Sequence, residues 1–125
     1  MSFSKKYRVL IVGCGNIGGR FDFASKTLDL PKTHAGAYLS HPGFYLSACL
    51  DSDRKKLIEF SEKFKIENQY TSFDHIQRPE EYFDVISICS PTNKHFLNIK
   101  QSIRFKPKLI FCEKPISYSL EEAKK

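Results

Sequence analysis

Apolar residues in this chain fall in short runs separated by segments of helical period. Val9-Leu-Ile-Val12 is unbroken, the pattern of a strand covered on both faces, and it predicts strand one over Tyr7 to Val12. A helix opens at Asn16 to about Gly19, but the stretch from Arg20 to Thr33 breaks the pattern, with no clean period and a proline at position 31. The stretch from His34 to Ser40 has helical character again and ends at His41-Pro-Gly43. Strand two is predicted over Phe44 to Leu50. Asp51-Ser-Asp53 then caps a helix from Arg54 to about Lys65 with Leu57, Phe60, Ser61 and Phe64 inward. A short third strand is expected at Gln69 to Thr71 and a helical turn from Ser72 or Phe73 to Gln77. Strand four is expected at Phe83 to Cys89, and Ser90-Pro-Thr-Asn93 turns into a helix with Phe96, Ile99 and Ile103 on one stripe. Strand five is Lys108 to Cys112, and a capping box at Ser119-Leu-Glu-Glu122 opens a further helix.

Strands alternating with helices, joined by connections long enough for a crossover, predict an α/β fold: a Rossmann-type, doubly wound parallel sheet in three layers with right-handed β-α-β units. Ligands in such sheets bind at the carboxyl ends of the strands. The unusual residues of this chain fall there: the glycines after strand one, Asp51, Ser90 to His95, and Glu113 to Pro115.

Strand one runs directly into Gly13-Cys-Gly15-Asn-Ile-Gly18, a Gly-x-Gly-x-x-Gly turn. The first glycine permits the tight turn, the second lets a pyrophosphate approach the backbone, and the third lets the next helix pack closely. The N–H groups and dipole at that helix start favour an anion. Such a motif is informative in this context, after a strand and before a helix near the N-terminus. Asp51 closes strand two, where a carboxylate can accept hydrogen bonds from ribose hydroxyls; the alternative is a helix cap, a task for which Ser52 and Asp53 are already placed. Asp51 lies 33 residues after Gly18, against a usual spacing of about 20, which fits if 20–33 is an insertion. A carboxylate there repels a 2′-phosphate and favours NAD, while Arg54 nearby keeps NADP open.

The chain has 125 residues, enough for one domain with its own core. With 41% hydrophobic and 27% charged residues it has the composition of a folded globular chain. The formal net charge is +6, but the cations are scattered (Arg54-Lys55-Lys56, Lys63, Lys65, Lys100, Arg104, Lys106, Lys108) and no aromatic ladder is interleaved with them. That pattern reads as a solvated basic surface that attracts anionic nucleotides rather than as a nucleic-acid interface. Cys14, Cys49, Cys89 and Cys112 stand singly, without a Cys-x-x-Cys or a His pair at ligand spacing, so no metal site is expected. Buried, reduced thiols in a cytoplasmic protein are expected. No apolar run reaches membrane-spanning length, and the N-terminus does not have the pattern of a signal peptide.

The sequence resembles the N-terminal half of the Gfo/Idh/MocA family, the glucose–fructose oxidoreductase and inositol dehydrogenase group. The matching residues are GCGNIG at 13–18, HAGAY at 34–38, HPGFYLSACLD at 41–51, Ser90-Pro91-x-x-x-His95, and Glu113-Lys114-Pro115. The family commonly has Thr-Pro where this chain has Ser90-Pro91. The resemblance implies NAD(P)-dependent oxidation or reduction of a secondary alcohol on a sugar, cyclitol or nucleotide-sugar. It implies that Gly13, Gly15, Asn16, Ile17, Gly18, Asp51, Ser90, Pro91 and Asn93 hold the dinucleotide. Glu113 would bond the nicotinamide-side ribose or hold Lys114, and Pro115 would fix the turn. His95 either touches the site or packs at the helix end. Lys114 would be the catalytic lysine by the nicotinamide, orienting the alcohol and favouring negative charge on its oxygen.

The family carries a second α/β domain with the substrate pocket and an acid/base histidine. The expectation is therefore a single dinucleotide-binding domain over 1–125, ending before a sixth strand and the substrate domain. Such a chain would bind the cofactor without turnover and would associate with itself through uncovered apolar faces. The alternative is a stand-alone NAD(H)-binding sensor or partner module. A flavin or S-adenosylmethionine site is a third reading, opposed by Glu113-Lys114-Pro115.

Overall fold

Five parallel strands form one sheet in the order β3-β2-β1-β4-β5. They are β1 (Tyr7–Val12), β2 (Phe44–Leu50), β3 (Asn68–Tyr70), β4 (Val85–Ile88) and β5 (Leu109–Cys112). The helices are α1 (His34–Ser40), α2 (Arg54–Phe64) and α3 (Thr92–Ile103), with a 3-10 turn at Phe73–His75. The computed structural model describes residues 6–15, 18–19, 33–76 and 83–112. Asn16, Ile17, residues 20–32 of the expected insertion, Gln77 at the end of the expected helical turn, Glu113, Lys114, Pro115 and the capping box at Ser119 to Glu122 lie outside the described residues.

The central strand is β1, paired with β2 on one side and β4 on the other. Val9 to Val12 are buried on both faces, as the unbroken apolar run predicts. On one face Val9, Ile11 and Val85 pack with Ala35 of α1 and Leu57, Phe60 and Phe64 of α2. On the other, Leu10, Val12, Ile86 and Ile88 pack with Phe73, Ile76 and Phe83, with Ile99 and Phe105 against them. These two apolar layers make the three-layer, doubly wound arrangement, and the chain reverses direction across the sheet between β1 and β4.

Pairing of β1 with β2 slips by one residue between Val9–Leu46 and Leu10–Ala48, leaving Ser47 as a bulge. Ser47 is fully buried yet satisfied: its hydroxyl accepts from Arg8 at 2.9 Å and its carbonyl from Asn68 Nδ2 at 3.0 Å. The bulge explains why Leu46 and Cys49, three apart, share one core while Ala48 and Leu50 share the other.

Helix α2 starts where the pattern predicts. The Asp53 carboxylate accepts the N–H groups of Lys55 and Lys56 at 3.0 and 3.2 Å, a cap worth about 1 kcal/mol. It ends at Lys65, in the left-handed region at φ 55°, and Leu57, Phe60, Ser61 and Phe64 are its buried residues. Helix α1 is capped by Thr33, whose hydroxyl accepts from Gly36 N–H at 3.1 Å. The Ala35 N–H donates to the carbonyl of Gly18 at 2.8 Å, so α1 is stitched directly to the end of the glycine turn.

Helix α3 corrects the expected stripe. Ile103 is 57% exposed, and the residues buried along the helix are His95, Asn98 and Ser102, with Ile99 partly buried against the core. Ile99 thus packs inward as expected, while Ile103 is exposed and three polar side chains take the buried positions of the helix. Hydrogen bonds to the turn after β4, described below, occupy two of them.

Candidate functional site

Strand β1 leaves the sheet at Gly13, which has φ +100°. A Cβ at this position would lie 2.5 Å from the Ser90 nitrogen, so the glycine turn and the turn after β4 are in backbone contact. At Gly18 a Cβ would lie 2.5 Å from the Gly13 carbonyl oxygen. Gly19 abuts Phe60 and Phe64 of α2. Gly15 differs from all of these: a Cβ there meets nothing within 4 Å among the described residues. Among the described residues nothing demands the absence of a side chain there, and the space beside the turn is open.

The end of β2 meets the same turn. Asp51 Oδ2 accepts the Cys14 N–H at 2.8 Å, and Asp51 Oδ1 accepts the Asp53 N–H at 2.8 Å. The cap of α2 is Asp53, so Asp51 is a bridge between the glycine turn and the start of that helix. The Gly13 N–H donates to the Leu50 carbonyl at 2.7 Å, and the Cys89 N–H to that of Val12 at 2.7 Å, so the ends of β2, β1 and β4 are laced together.

Above these strand ends lies a cleft of about 250 Å³. Gly13, Asp51, Ser90, Pro91 and Asn93 line it, all of them candidates from the sequence. So do Ser52, Thr71, Ser72, Phe73, Lys94, Leu97, Asn98 and Gln101, which the motif reading missed. Thr71, Ser72 and Phe73 follow β3, and their position beside Asp51 was readable only as the end of a neighbouring strand. Lys94, Asn98 and Gln101 arrive by helical spacing on α3.

His95 is buried, and its Nε2 lies 2.6 Å from the Ser90 carbonyl. A carbonyl only accepts, so the imidazole donates through Nε2. His95 is absent from the cleft lining and touches the turn after β4 from behind. The Ser90 hydroxyl donates to Asn98 Oδ1 at 2.5 Å.

Cys14, Cys49 and Cys89 are buried in one core cluster with no disulfide among them, and Cys112 is partly exposed. Cys14 Sγ donates to the Leu50 carbonyl at 3.8 Å. Its pKa is pushed far above the ordinary thiol range by hydrogen bonding with Cys49 and by burial. It packs as a small apolar group rather than a nucleophile. Tyr38 bonds Ser87 through its hydroxyl at 2.6 Å, and burial raises its pKa against that bond. Among the described residues no cluster of His, Cys, Asp and Glu could hold a metal ion, and no helix is long and apolar enough to cross a membrane.

Comparison with known proteins gives this geometry a family. Residues 7–125 match the family model described as an oxidoreductase family with an NAD-binding Rossmann fold, GFO_IDH_MocA. The uncharacterized oxidoreductase YrbE of Bacillus subtilis (strain 168) is 32% identical over 113 residues, 90% of this chain and 28% of that protein. Among solved structures, a probable dehydrogenase from Thermotoga maritima is 27% identical at a TM-score of 0.73, covering 94% of this chain and 31% of its own. The WlbA dehydrogenase of Bordetella pertussis, solved with NADH and UDP-GlcNAcA, shares the fold at a TM-score of 0.76 and 20% identity, covering 96% of this chain and 32% of its own. The chain therefore spans about a third of the length of the relatives it matches. It belongs to the Gfo/Idh/MocA oxidoreductases, and its fold is their NAD-binding Rossmann domain.

Proposed function

We propose that this chain is the dinucleotide-binding half of an NAD(H)-dependent dehydrogenase acting on a secondary alcohol of a sugar, cyclitol or nucleotide-sugar. The single observation that carries the binding reading is the open space at Gly15, where a Cβ would meet nothing within 4 Å among the described residues, two residues along the turn from Gly13, which lines a cleft with Asp51 and Ser90. A pyrophosphate needs close approach to backbone N–H groups, and such a turn at the carboxyl end of a central strand supplies it.

In this reading Gly13, Gly15, Asn16, Ile17 and Gly18 hold the pyrophosphate. Asp51 accepts from ribose hydroxyls through the lone pairs left over from Cys14 and Asp53. Its charge favours NAD over NADP. Ser90, Pro91 and Asn93 line the dinucleotide, and His95 supports it through Ser90. A bound nicotinamide dinucleotide would supply the hydride acceptor or donor. Glu113 and Lys114 follow β5 directly in sequence. Lys114 is the proposed catalytic residue: its ammonium orients the alcohol and stabilises negative charge on the oxygen. The sugar-like substrate is supported by relatives such as the scyllo-inositol dehydrogenase of Lactobacillus casei, solved with NAD(H) and scyllo-inositol.

Titration of the chain with NADH and NADPH by calorimetry tests this. Tighter binding of NADH is the expected result. Binding of neither dinucleotide would refute the proposal. A stand-alone, non-catalytic NAD(H)-binding module, the second reading, predicts the same binding; alcohol-dependent NADH formation by a protein that joins this domain to a substrate domain would exclude it.

A further inference from the structure

Ser90 is held by α3 through two separate groups. Its carbonyl accepts from His95 Nε2 at 2.6 Å, and its hydroxyl donates to Asn98 Oδ1 at 2.5 Å. Asn98 donates in turn from Nδ2 to Gln101 Oε1 at 3.1 Å. The direction of this chain of bonds has chemical consequences. A carboxamide accepts only at oxygen and donates only at nitrogen; Asn98 presents its oxygen to Ser90 and its nitrogen to Gln101. A serine hydroxyl has a single proton, and here it is given to Asn98. What remains on the Ser90 oxygen is acceptor capacity alone.

Ser90, Asn98 and Gln101 all line the 250 Å³ cleft, and the Ser90 backbone abuts Gly13. Asn98 is the more buried of the two and Ser90 is partly open, so the oriented group is the more accessible one. Resting on the dinucleotide reading above, we propose that Asn98 is a positioning residue that fixes Ser90 as a hydrogen-bond acceptor for a ribose hydroxyl of the ligand. A phosphate oxygen carries no proton to donate, so a Ser90 held in this polarity recognises the sugar and leaves the pyrophosphate to the glycine turn. The arrangement is preorganised, since the hydroxyl need not reorient on binding.

A double-mutant cycle on NADH affinity tests this, with thermal stability followed in parallel. Ser90→Ala and Asn98→Ala are each expected to weaken NADH binding about three- to tenfold, the scale of one hydrogen bond. The double variant should bind no more weakly than the weaker single one. Gln101→Leu, on the half-exposed side of α3, serves as a second probe should Asn98→Ala not fold. It too should weaken binding in the wild-type background and have no effect on Ser90→Ala. Additive losses in the cycle, or a lowered Tm with unchanged affinity, would overturn the positioning role while leaving the dinucleotide reading intact. Failure of the unaltered chain to bind NADH would remove both.

Discussion

The carboxylate of Asp51, at the end of β2, accepts the backbone N–H of Cys14, inside the glycine turn after β1, at 2.8 Å. One side chain thereby fixes the distance between the turn and the strand beside it. The same carboxylate accepts the Asp53 N–H through its other oxygen, so three backbone segments depend on it. We expect Asp51→Ala to weaken NADH binding by about 1.5–3 kcal/mol, the range for hydrogen bonds to a charged group. It should also lower Tm, because two N–H groups lose their acceptor. Calorimetric titration with a parallel melt checks both; unchanged affinity with a lowered Tm would make Asp51 purely a structural bridge.

Gly13 and Gly15 should separate folding from binding. At Gly13 a side chain meets the Ser90 backbone and the φ of +100° is strained, so Gly13→Ala should cost on the order of 1–3 kcal/mol of stability. At Gly15 the space is open among the described residues, so Gly15→Val should leave stability within about 1 kcal/mol, as for a surface change, while abolishing NADH binding. Retained binding in Gly15→Val would mean that the open space is not the pyrophosphate position.

Alkaline pH should destabilise the fold through Cys14. Its pKa is raised from the ordinary 9.0 by the hydrogen bond with Cys49, then by burial. The unfolded thiol ionises first as pH rises, so above pH 9 the unfolded state binds fewer protons than the native one. Stability is fully present below the unfolded pKa and falls above it. Tyr38, also raised, acts in the same direction from pH 10 upward. Melting curves between pH 7 and 10.5 should show a falling Tm, with a shallower fall in Cys14→Ala. Thiol labelling of the native protein should reach Cys112, which is partly exposed, before Cys14, Cys49 and Cys89.

Self-association is expected through the β5 side of the sheet. Leu109 and Phe111 are 53% and 51% exposed on β5, the edge strand among the described residues, and an exposed apolar edge invites pairing. Sedimentation should show a concentration-dependent rise in mass that Phe111→Lys suppresses. A monomer at all concentrations would assign that face no role in assembly.

Lys114 should divide chemistry from binding. In a longer protein that carries the substrate domain, Lys114→Ala is expected to spare NADH affinity and reduce turnover by about 10²-fold or more, the scale of one preorganised electrostatic contact. Full activity with a panel of sugars and nucleotide-sugars would exclude Lys114 from the mechanism.

The sequence by itself determined the parallel α/β architecture, because an apolar run such as Val9 to Val12 can be satisfied only by cover on both faces. It also determined the cap at Asp53 and the inward face of α2, since both depend on residues within a turn or two of each other. The glycines and Asp51 were legible as candidates because their chemistry follows from residue type at the end of a strand. Tertiary structure alone decided the rest. The bulge at Ser47 depends on Arg8 and Asn68, which lie far away in sequence. The inward turn of His95 and Asn98 contradicts the hydrophobic stripe, because the energy of satisfying the Ser90 carbonyl and hydroxyl does not appear in any count of apolar residues. Thr71 and Ser72 reach the cleft only because β3 lies beside β2, a pairing made by long-range strand contacts rather than by local pattern.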